Sequence, residues 1–310
     1  MTRLEELNEK YPVRKSNIQK RAFSEFVISE AEKCGFTARI EKTADGKNEN
    51  IVIGDPVSAK TVFTAHFDTP AASLFPNIMI PRNKLVFWLY QFAPIVFILA
   101  LALTGGYLLG MVALGSYRAF WGIFLVIYYV VYFLAFRAFE NKHNFNDNTS
   151  GVATVMSIID GIDESEMKTV AFILFDNEEK GKKGSKAYFK DHKSEMQDKL
   201  VINFDCVGNG ENIIFIAMKD AENKAEYLAL KESFVYSESF DTNFYPIKGS
   251  ESNSDYKNFP CGVGCMASKC AKSGLLYTPR IHTRYDTVAK NENVEYITDG
   301  IRRFIKNINA

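Results

Sequence analysis

Seven residues that could bind metal ions or move protons follow apolar segments of the sequence or stand beside a predicted helix. They are His66 and Asp68 in "VFTAHFD", Asp147 in "NFNDNTSG", Glu178 and Glu179 in "AFILFDNEE", Asp205 in "VINFD", and His282 in "SGLLYTPRIHTRYD". In parallel sheets, functional side chains collect beyond the carboxyl ends of the strands. The two histidines together with three of these five carboxylates would suit a pair of zinc ions, and one carboxylate can bridge the two ions. The sequence therefore predicts a two-metal site.

Each of these residues also has an ordinary structural role open to it. His66 could be a hydrogen-bonded core histidine, Asp147 could cap the helix that follows it, and Asp205 could form the turn after its strand. The metal site is favoured because all of these residues follow predicted strands or stand beside a predicted helix, so that several candidate ligands converge.

The elements that must position these residues alternate between strands and helices. Mixed charge and spaced apolar positions predict a helix over residues 15–35, and "FTARIEK", "NENIVIG" and "KTVFTAHF" are typical of strands. Later, "SGVATVMSIIDGI" predicts a helix, and "KTVAFILFD" and "KLVINFD" predict buried strands. This alternation predicts an α/β fold with a mixed, largely parallel central sheet and flanking helices.

Six motifs, in this order, resemble those of the di-zinc aminopeptidases related to bacterial leucine aminopeptidase and aminopeptidase Y. They are "HFDTP", "NDNTSGVA", "DNEEKGKKGS", "NFDCVG", "SNSDYKNF" and "IHTRYDT". The resemblance implies a zinc-exopeptidase-like fold and two zinc ions bridged by Asp147. It implies that one ion is bound by His66, Asp147 and Asp205, and the other by Asp147, Glu179 and His282.

The resemblance gives the remaining acids other roles. Glu178 is the implied general base, which takes a proton from a zinc-activated water and passes it to the leaving amine. By their spacing alone, Asp68, two residues after His66, and Asp286, four residues after His282, are candidate acceptors that orient the imidazoles of the two histidines. The predicted enzyme is a zinc metallopeptidase that hydrolyses amino-terminal peptide or amide bonds.

The sequence departs from that family at Tyr256 in "SDYKNF", where the family often has histidine. Four tyrosines are candidate donors of a hydrogen bond to the substrate oxyanion, and the sequence does not choose among them: Tyr245, Tyr256, Tyr277 and Tyr285. The lysines of "EEKGKKGSK" are interpreted as a solvated loop.

A long uncharged segment separates the motifs of His66 and Asp147. No charged residue occurs from Leu85 to Tyr117, and after Arg118 none occurs through Phe136. Because one spanning helix needs about 20 apolar residues, the segment is long enough for two. We expect helices near 86–108 and 117–137, with a turn between 110 and 118. The predicted domains are therefore a catalytic domain, residues 1–83 and 138–310, and an inserted transmembrane hairpin, residues 84–137.

The charges around the hairpin predict its orientation. Arg82, Lys84, Arg137 and Lys142 flank its outer ends, whereas only Arg118 lies in the turn. Positive residues favour the cytoplasmic side, so we expect an integral membrane protein with two spans and a cytoplasmic catalytic domain. The charged amino-terminal residues lack the apolar core of a signal peptide, which agrees with this localisation.

Composition excludes some functions and leaves others open. The sequence has 37 basic and 37 acidic side chains, so it does not predict nucleic-acid binding. The five cysteines do not form a paired framework, and we interpret them as reduced thiols. A zinc or disulfide pair at Cys261 and Cys265 is the less favoured alternative.

The expected partners are the lipid bilayer and a peptide or aminoacyl-amide substrate associated with the membrane. The alternatives are a hydrolase of lipid-linked aminoacyl amides, a glutaminyl-cyclase-like acyltransferase with one zinc, and a membrane scaffold without activity. Simple anchoring, with no role in substrate choice, is an equal alternative for the hairpin.

Overall fold

The computed structural model describes residues 1–309. Within these residues the α-helices are α1 Arg3–Lys10, α2 Asn17–Lys33, α3 Lys84–Gly106, α4 Tyr117–Phe136, α5 Gly151–Ile159, α6 Lys183–Asp191, α7 Lys193–Met196, α8 Ala225–Ser233 and α9 Asn291–Asn309. The strands are β1 Ala38–Lys42, β2 Glu49–Ile53, β3 Thr61–His66, β4 Ile78–Met79, β5 Val170–Phe175, β6 Leu200–Phe204, β7 Asn212–Ala217, β8 Asp241–Pro246, β9 Gly262–Cys270 and β10 Leu276–Pro279.

All ten strands belong to one sheet, whose main path runs β1-β2-β5-β3-β6-β9-β10-β4, with β7 and β8 joined through β9. The central neighbours β5, β3, β6 and β9 are parallel. Antiparallel pairs flank them on both sides. In register, His66 lies opposite Phe175. Because parallel strands end at the same edge, the residues that follow β3, β5 and β6 are brought together there.

The central strands are buried on both faces, as expected for a parallel sheet covered by helices. Every residue of β3, β5, β6 and β7 is buried. One face packs its larger cluster, which includes Phe63, Phe172 and Phe204, against α2, α5 and α9. The opposite face packs Val62, Ile173 and Val201 against α6 and α7. This arrangement confirms the predicted α/β fold with a mostly parallel central sheet.

The first two helices begin with capping boxes. Thr2 accepts a hydrogen bond from the backbone of Glu5, and Ser16 accepts one from the backbone of Gln19, while each glutamate or glutamine side chain returns to the cap. These contacts satisfy backbone groups that the start of a helix leaves without partners. They place α2 two residues inside the predicted range at each end.

The apolar segment forms two helices. The first runs through α3 and continues as a π-helix over Tyr107–Ala113, so it ends later than the predicted residue 108. The second, α4, agrees with the prediction to within one residue, and the turn falls at 114–116. Asn83 and Ser116 cap the starts of the two helices by accepting hydrogen bonds from the backbone of Val86 and Ala119.

Both helices are long and apolar enough to cross a membrane, and they are mostly exposed. In their most apolar stretches, only 22% of residues in the first and 6% in the second are buried. Exposed side chains include Leu89, Phe92, Val96, Val126 and Tyr129. A core helix of a water-soluble domain would normally bury such a surface, so the exposed apolar surface is compatible with the predicted membrane hairpin.

Candidate metal centre

Asp147 lies between the two histidines of the predicted site. Its Oδ1 atom is 3.3 Å from Nε2 of His66, and its Oδ2 atom is 3.0 Å from Nε2 of His282. Asp205 lies on the first side, with Oδ1 3.7 Å from Nε2 of His66. Glu179 lies on the second side, with Oε2 3.3 Å from Nε2 of His282. The five residues therefore form two adjoining groups that share one carboxylate.

The spacing of these atoms fits zinc. Neighbouring ligands of a tetrahedral zinc ion lie roughly 3.3–3.6 Å apart, given zinc–ligand distances of about 2.0–2.2 Å. The observed distances between the nitrogen and oxygen atoms are 3.0–3.7 Å. In addition, Oε1 of Glu179 is buried and has no hydrogen-bond partner within residues 1–309. A buried carboxylate oxygen without a partner is costly unless a cation or donor compensates it, so the cluster suits bound metal.

The turn after β5 gives Glu178 and Glu179 different directions. Asn177 adopts a left-handed conformation, which asparagine tolerates better than most residues, and a short 3-10 turn over Glu178–Lys180 follows. Lys20 fixes the start of the turn through Nζ contacts to Oδ1 of Asp176 at 2.5 Å and Oδ1 of Asn177 at 2.9 Å. Glu179 thereby reaches His282, while Glu178 groups with His66.

Asp68 holds the same turn from the end of β3. Its Oδ1 accepts a hydrogen bond from the backbone N–H of Glu178 at 2.9 Å, and its Oδ2 accepts one from that of Glu179 at 3.3 Å. Nδ1 of His66 lies 3.2 Å from the backbone oxygen of Asp68 and 3.7 Å from its Oδ1. Asp68 is thus placed to orient His66 through its backbone and the two glutamates through its side chain.

Asp286 is arranged differently from the expectation that it orients an imidazole. Its carboxylate accepts hydrogen bonds from the backbone N–H groups of Asn146 at 3.1 Å and Asp147 at 2.9 Å. Asp286 therefore supports the backbone of Asp147, the residue whose carboxylate the two groups share. The sequence spacing to His282 did not reveal this, because the contact depends on where the 144–150 segment folds back.

Comparison with known proteins identifies the family. A family model described as Peptidase family M28 matches residues 138–305. The chain belongs to peptidase family M28. This membership confirms the predicted resemblance to zinc aminopeptidases and the prediction that the chain is a hydrolase. His66 and Asp68 precede the matched residues.

Solved structures share the fold of this M28 chain. The LapA aminopeptidase of Legionella pneumophila is 13% identical, with a TM-score of 0.57 over 98% of this chain and 67% of that chain. A Zn-dependent exopeptidase from Parabacteroides distasonis is 14% identical, with a TM-score of 0.57 over 98% and 95% of the two chains. The glutaminyl cyclase of Porphyromonas gingivalis is 12% identical, with a TM-score of 0.58 over 98% and 95%.

The histidines of this M28 chain balance the charge of the acids around them. Burial opposes protonation of His66, but hydrogen bonds to Asp147 and Asp205 outweigh it and raise its pKa well above 6.5. Burial likewise opposes protonation of His282, but the charges of Glu179 and Asp147 raise its pKa to about 10. Burial favours the neutral form of Asp147, yet the two histidines hold its pKa below the usual range. Divalent cations would take over this balancing charge and displace protons.

The remaining acids of this M28 chain have raised pKa values. Burial raises the pKa of Glu179 to about 8, with His282 opposing and Asp147 adding to the effect. Burial also raises the pKa of Glu178 well above 4.5, and the charges of Asp255 and Glu179 add to it. A carboxylate with a raised pKa is a better proton acceptor, which is the property that a general base requires.

Two residues of this site were missed by sequence reasoning. Asn148 joins three segments: its Nδ2 donates to the backbone oxygen of Phe204 at 2.9 Å, and its Oδ1 accepts from the backbone of Gly151 and Cys206. The backbone of Gly151 lies close to that of Phe204, and only glycine fits there, because a Cβ would lie 2.3 Å from the backbone oxygen of Phe204. The position of Asn148 directly after Asp147 was the available signal.

Arg14 is the second missed residue, and nothing in "YPVRKS" indicates its position. Its guanidinium is fully buried and donates to the backbone oxygens of Phe67 and Tyr11 at 2.5 and 2.7 Å and to Oγ1 of Thr149 at 3.2 Å. Burial lowers its pKa to about 10, while the charges of Asp68 and Asp147 oppose that change. Arg14 thus places a positive charge behind the acidic cluster.

None of the four candidate oxyanion donors lines the two cavities that contain His282. Tyr256 is fully buried, and its ring occupies the space beside Gly264. Tyr245 packs against the guanidinium of Arg82 at 4.1 Å from the ring centre. Tyr277 and Tyr285 are also absent from the lining of the two cavities that contain His282. The role predicted for one of these four tyrosines therefore stays a prediction without support from these cavities.

Proposed function

We propose that the chain is a membrane-anchored di-zinc aminopeptidase that acts on membrane-associated peptides. The observation that carries this proposal is the position of Asp147, whose two carboxylate oxygens face His66 and His282 separately. A carboxylate that lies between two imidazoles in this way suits two ions. Membership in the M28 family supports peptidase chemistry, and similarity to a solved aminopeptidase supports this type of reaction.

Each zinc ion has its own ligand group in this proposal. His66, Asp147 and Asp205 would hold the first ion, and Asp147, Glu179 and His282 would hold the second; the candidate atoms of each group lie within 4.8 Å of one another. Bound zinc would activate a water molecule as a nucleophile at neutral pH and polarise the scissile carbonyl.

Glu178 is the proposed general base. Its carboxylate groups with His66 and Glu179, again with candidate atoms within 4.8 Å, so it lies beside the proposed ligands. It would accept one proton of the attacking water and deliver that proton to the amine nitrogen. The amide C–N bond breaks, a C–O bond forms, and water supplies the hydroxyl of the acid and the proton of the amine. Asp68 would hold the turn that aims Glu178.

The proposal divides the chain into a catalytic domain, residues 1–83 and 138–310, and a transmembrane hairpin, residues 84–137. The apolar and mostly exposed surface of α3 and α4 supports this division. His66 precedes the hairpin and Asp147 follows it, and they meet in one cluster, so the chain must return to the side from which it left. The charge distribution supports a cytoplasmic catalytic domain.

A glutaminyl-cyclase-like acyltransferase is the second candidate function. It is favoured by similarity in fold to two solved glutaminyl cyclases, each of which is covered over 95% of its length. The resemblance from sequence implies that such an enzyme works with one zinc ion. The zinc content of the purified protein therefore separates this candidate from the di-zinc aminopeptidase.

The test measures zinc per chain and hydrolysis of a panel of aminoacyl amides by wild-type protein and Glu178→Gln. We expect about two zinc ions in both proteins and activity only in the wild type, since the variant keeps the ligands and loses the base. Lys186→Gln, an exposed change in the following helix, is the matched control. Zinc binding without hydrolysis would instead favour the cyclase, the lipid-amide hydrolase or the scaffold.

A further inference from the structure

The proposed metal centre opens into a cavity whose far wall is the hairpin. This cavity, of about 360 Å³, is lined on one side by His282 and Glu179 and on the other by Ile95 of α3 and by Tyr132 and Phe136 of α4. A segment that only anchored the protein would not need to line the space in front of the metal ligands. The hairpin is therefore placed to contact substrate.

Two further cavities extend this space along α3 towards the apolar surface. The second cavity, of about 170 Å³, is also lined by His282 and shares Gln91 and Phe136 with the first cavity. The third, of about 300 Å³, shares Phe75, Pro76, Tyr90 and Pro94 with the second and ends at Ala93 and Phe97. Phe97 is 58% exposed on the outer face of α3. The three spaces form one row from the metal centre to the surface proposed to meet lipid, which we name the lateral groove.

Residues 71–77 join the metal centre to the hairpin and form one side of the lateral groove. The backbone N–H of Ser73 donates to the backbone oxygen of His282 at 2.6 Å, and that of Leu74 donates to the backbone oxygen of Ala135 at 2.9 Å. The ring of Phe75 packs against Phe97 and Phe136 at centroid distances of 5.9 and 5.8 Å. One short segment therefore couples the wall of the groove to a proposed zinc ligand.

Positive side chains also line the first cavity. Lys15, Lys180 and Arg137 line it, and none of the three forms an ion pair with an acid in the described part of the chain. Lys20 also lines it but is paired with Asp176. Three cations without acidic partners beside an apolar groove favour a ligand that carries a negative charge. Lys180, which the sequence places in a solvated loop, is exposed and also lines this cavity.

We propose that the substrate is an amphiphilic carboxamide, with a long hydrocarbon chain on the acyl side of the scissile bond and a carboxylate on the amine side. The chain enters from the bilayer through the lateral groove, and the carboxylate is held by Lys15, Lys180 and Arg137. The scissile amide then lies between them at the metal centre. This inference rests on the proposed function and narrows its substrate class.

Aminoacyl-glycines with side chains of increasing length test the groove. Full-length zinc-loaded protein in phosphatidylcholine nanodiscs is assayed with 2-aminobutanoyl-, 2-aminooctanoyl- and 2-aminododecanoyl-glycine. We expect kcat/KM to rise by up to about fourfold per added methylene until the groove is filled, the factor expected for burying one methylene. A flat dependence on chain length in wild-type protein overturns the inference. Hydrolysis of the short substrate reports the proposed function independently.

A blocked groove provides the matched comparison. Ala93→Trp fills the outer part of the groove, whereas Ala100→Trp makes the same change at an exposed position of α3 that lines none of the three cavities. We expect Ala93→Trp to abolish the dependence on chain length while the short substrate is still cleaved, and Ala100→Trp to keep it. Equal dependence in both variants contradicts the lateral route.

The role of the substrate carboxylate is tested by changing first the substrate and then the lysines proposed to hold it. Replacing glycine by glycinamide in the substrate should lower kcat/KM by about two- to fivefold in wild-type protein, as expected for exposed ion pairs, and much less in the double variant Lys15→Gln/Lys180→Gln. Lys183→Gln/Lys186→Gln removes the same charge from exposed lysines that do not line the cavity. The absence of anionic lipid from the nanodiscs excludes a headgroup effect. Equal preference for the two substrates in wild-type protein overturns this part of the inference.

Two further arms separate failure of the inference from failure of the proposed function. Binding of dodecanoyl-glycine and butanoyl-glycine to Glu178→Gln is measured by calorimetry, so it does not depend on turnover. If the long chain binds more tightly while no aminoacyl-glycine is cleaved by wild-type protein, the inference holds and the aminopeptidase proposal fails. If wild-type protein cleaves dodecanoyl-glycine, which lacks the amine, the substrate is an acyl amino acid. Equal binding of the two chains contradicts the inference even where the short dipeptide is cleaved.

Discussion

The carboxylate of Asp286 accepts a hydrogen bond from the backbone N–H of Asp147 at a distance of 2.9 Å. Asp147 is the proposed bridge between two zinc ions, so Asp286 supports the backbone of the central ligand without lying in the ligand groups. Partners of this kind typically change metal affinity or activity by 10–100-fold when they are removed.

We therefore predict that Asp286→Asn weakens zinc binding by roughly 10–100-fold. Asparagine keeps the size of the side chain but turns an amide towards two backbone N–H groups that need acceptors. Zinc affinity is measured by competition with a chromogenic chelator. The control is Asp299→Asn, because Asp299 is exposed on α9 and makes only a 4.0 Å contact with Arg302. An unchanged zinc affinity in Asp286→Asn contradicts this account of Asp286.

Asp68 is predicted to affect turnover by holding the turn that carries both glutamates. Its carboxylate accepts hydrogen bonds from the backbone N–H groups of Glu178 and Glu179. In Asp68→Asn, the side-chain amide would turn an N–H donor towards one of these two N–H groups. We expect kcat to fall by about 10–100-fold, with a smaller change in KM. Steady-state kinetics on an aminoacyl amide measure the two separately. Asp198→Asn, an exposed aspartate ahead of β6, should behave as wild type. A rise in KM alone would show that Asp68 acts in substrate binding instead.

The zinc-free protein is predicted to lose stability as pH rises. The pKa of Glu179 is raised from 4.5 to about 8, and that of His282 from 6.5 to about 10, so the folded state binds these protons more tightly than the unfolded state. Their stabilisation is complete below the unfolded pKa values and is lost as pH rises through the folded values, which places the change between about pH 4.5 and 10. Tm is measured on chelator-treated protein at several pH values.

The same linkage predicts that zinc binding releases protons and strengthens as pH rises from 6 to 8, because zinc requires deprotonated imidazole. Calorimetry in buffers of different ionisation enthalpy measures the release. A Tm of chelator-treated protein that rises with pH over this window, or zinc binding without proton release, would count against the charge balance described for the cluster.

The hairpin is predicted to depend on a glycine contact between its helices. A Cβ at Gly110 would lie 2.3 Å from the backbone nitrogen of Phe120, so a larger residue must separate the helices. Small residues permit such close approach in membrane helices. We expect Gly110→Leu to destabilise the protein by about 1–3 kcal/mol or more, as overpacking does elsewhere. Gly122→Leu is the control, since a Cβ there meets nothing within 4 Å. Thermal unfolding in detergent should separate the two variants, and equal melting curves would refute the packing argument.

The proposed orientation in the membrane predicts opposite accessibility of two cysteines. Cys270 is exposed on the proposed catalytic domain, and Gly115 lies in the turn between the two apolar helices. In intact cells, an impermeant maleimide should label Gly115→Cys in a Cys270→Ser background. Native Cys270 should react only after lysis or in inside-out vesicles. The reverse result would place the catalytic domain outside the cell.

Local patterns in the sequence determined many of the elements around the site and the residue types of the site. Apolar runs ending in histidine or acid identified the ends of β3, β5 and β6, because buried parallel strands read as continuous apolar segments. The motif around Asp147 and the adjacent glutamates carried the resemblance to zinc aminopeptidases. The length of the uncharged segment was sufficient to predict two helices, since the thickness of a bilayer sets that length.

Only the tertiary structure decided how these residues meet. The sequence could not show that the oxygens of Asp147 face two different histidines, that Asp286 supports a backbone and not an imidazole, or that Arg14 lies behind the acids. It also could not show that residues 71–77 join the hairpin to His282. These contacts link positions far apart in the chain, and their geometry depends on how the loops pack on the sheet. Local propensity carries no information on such packing.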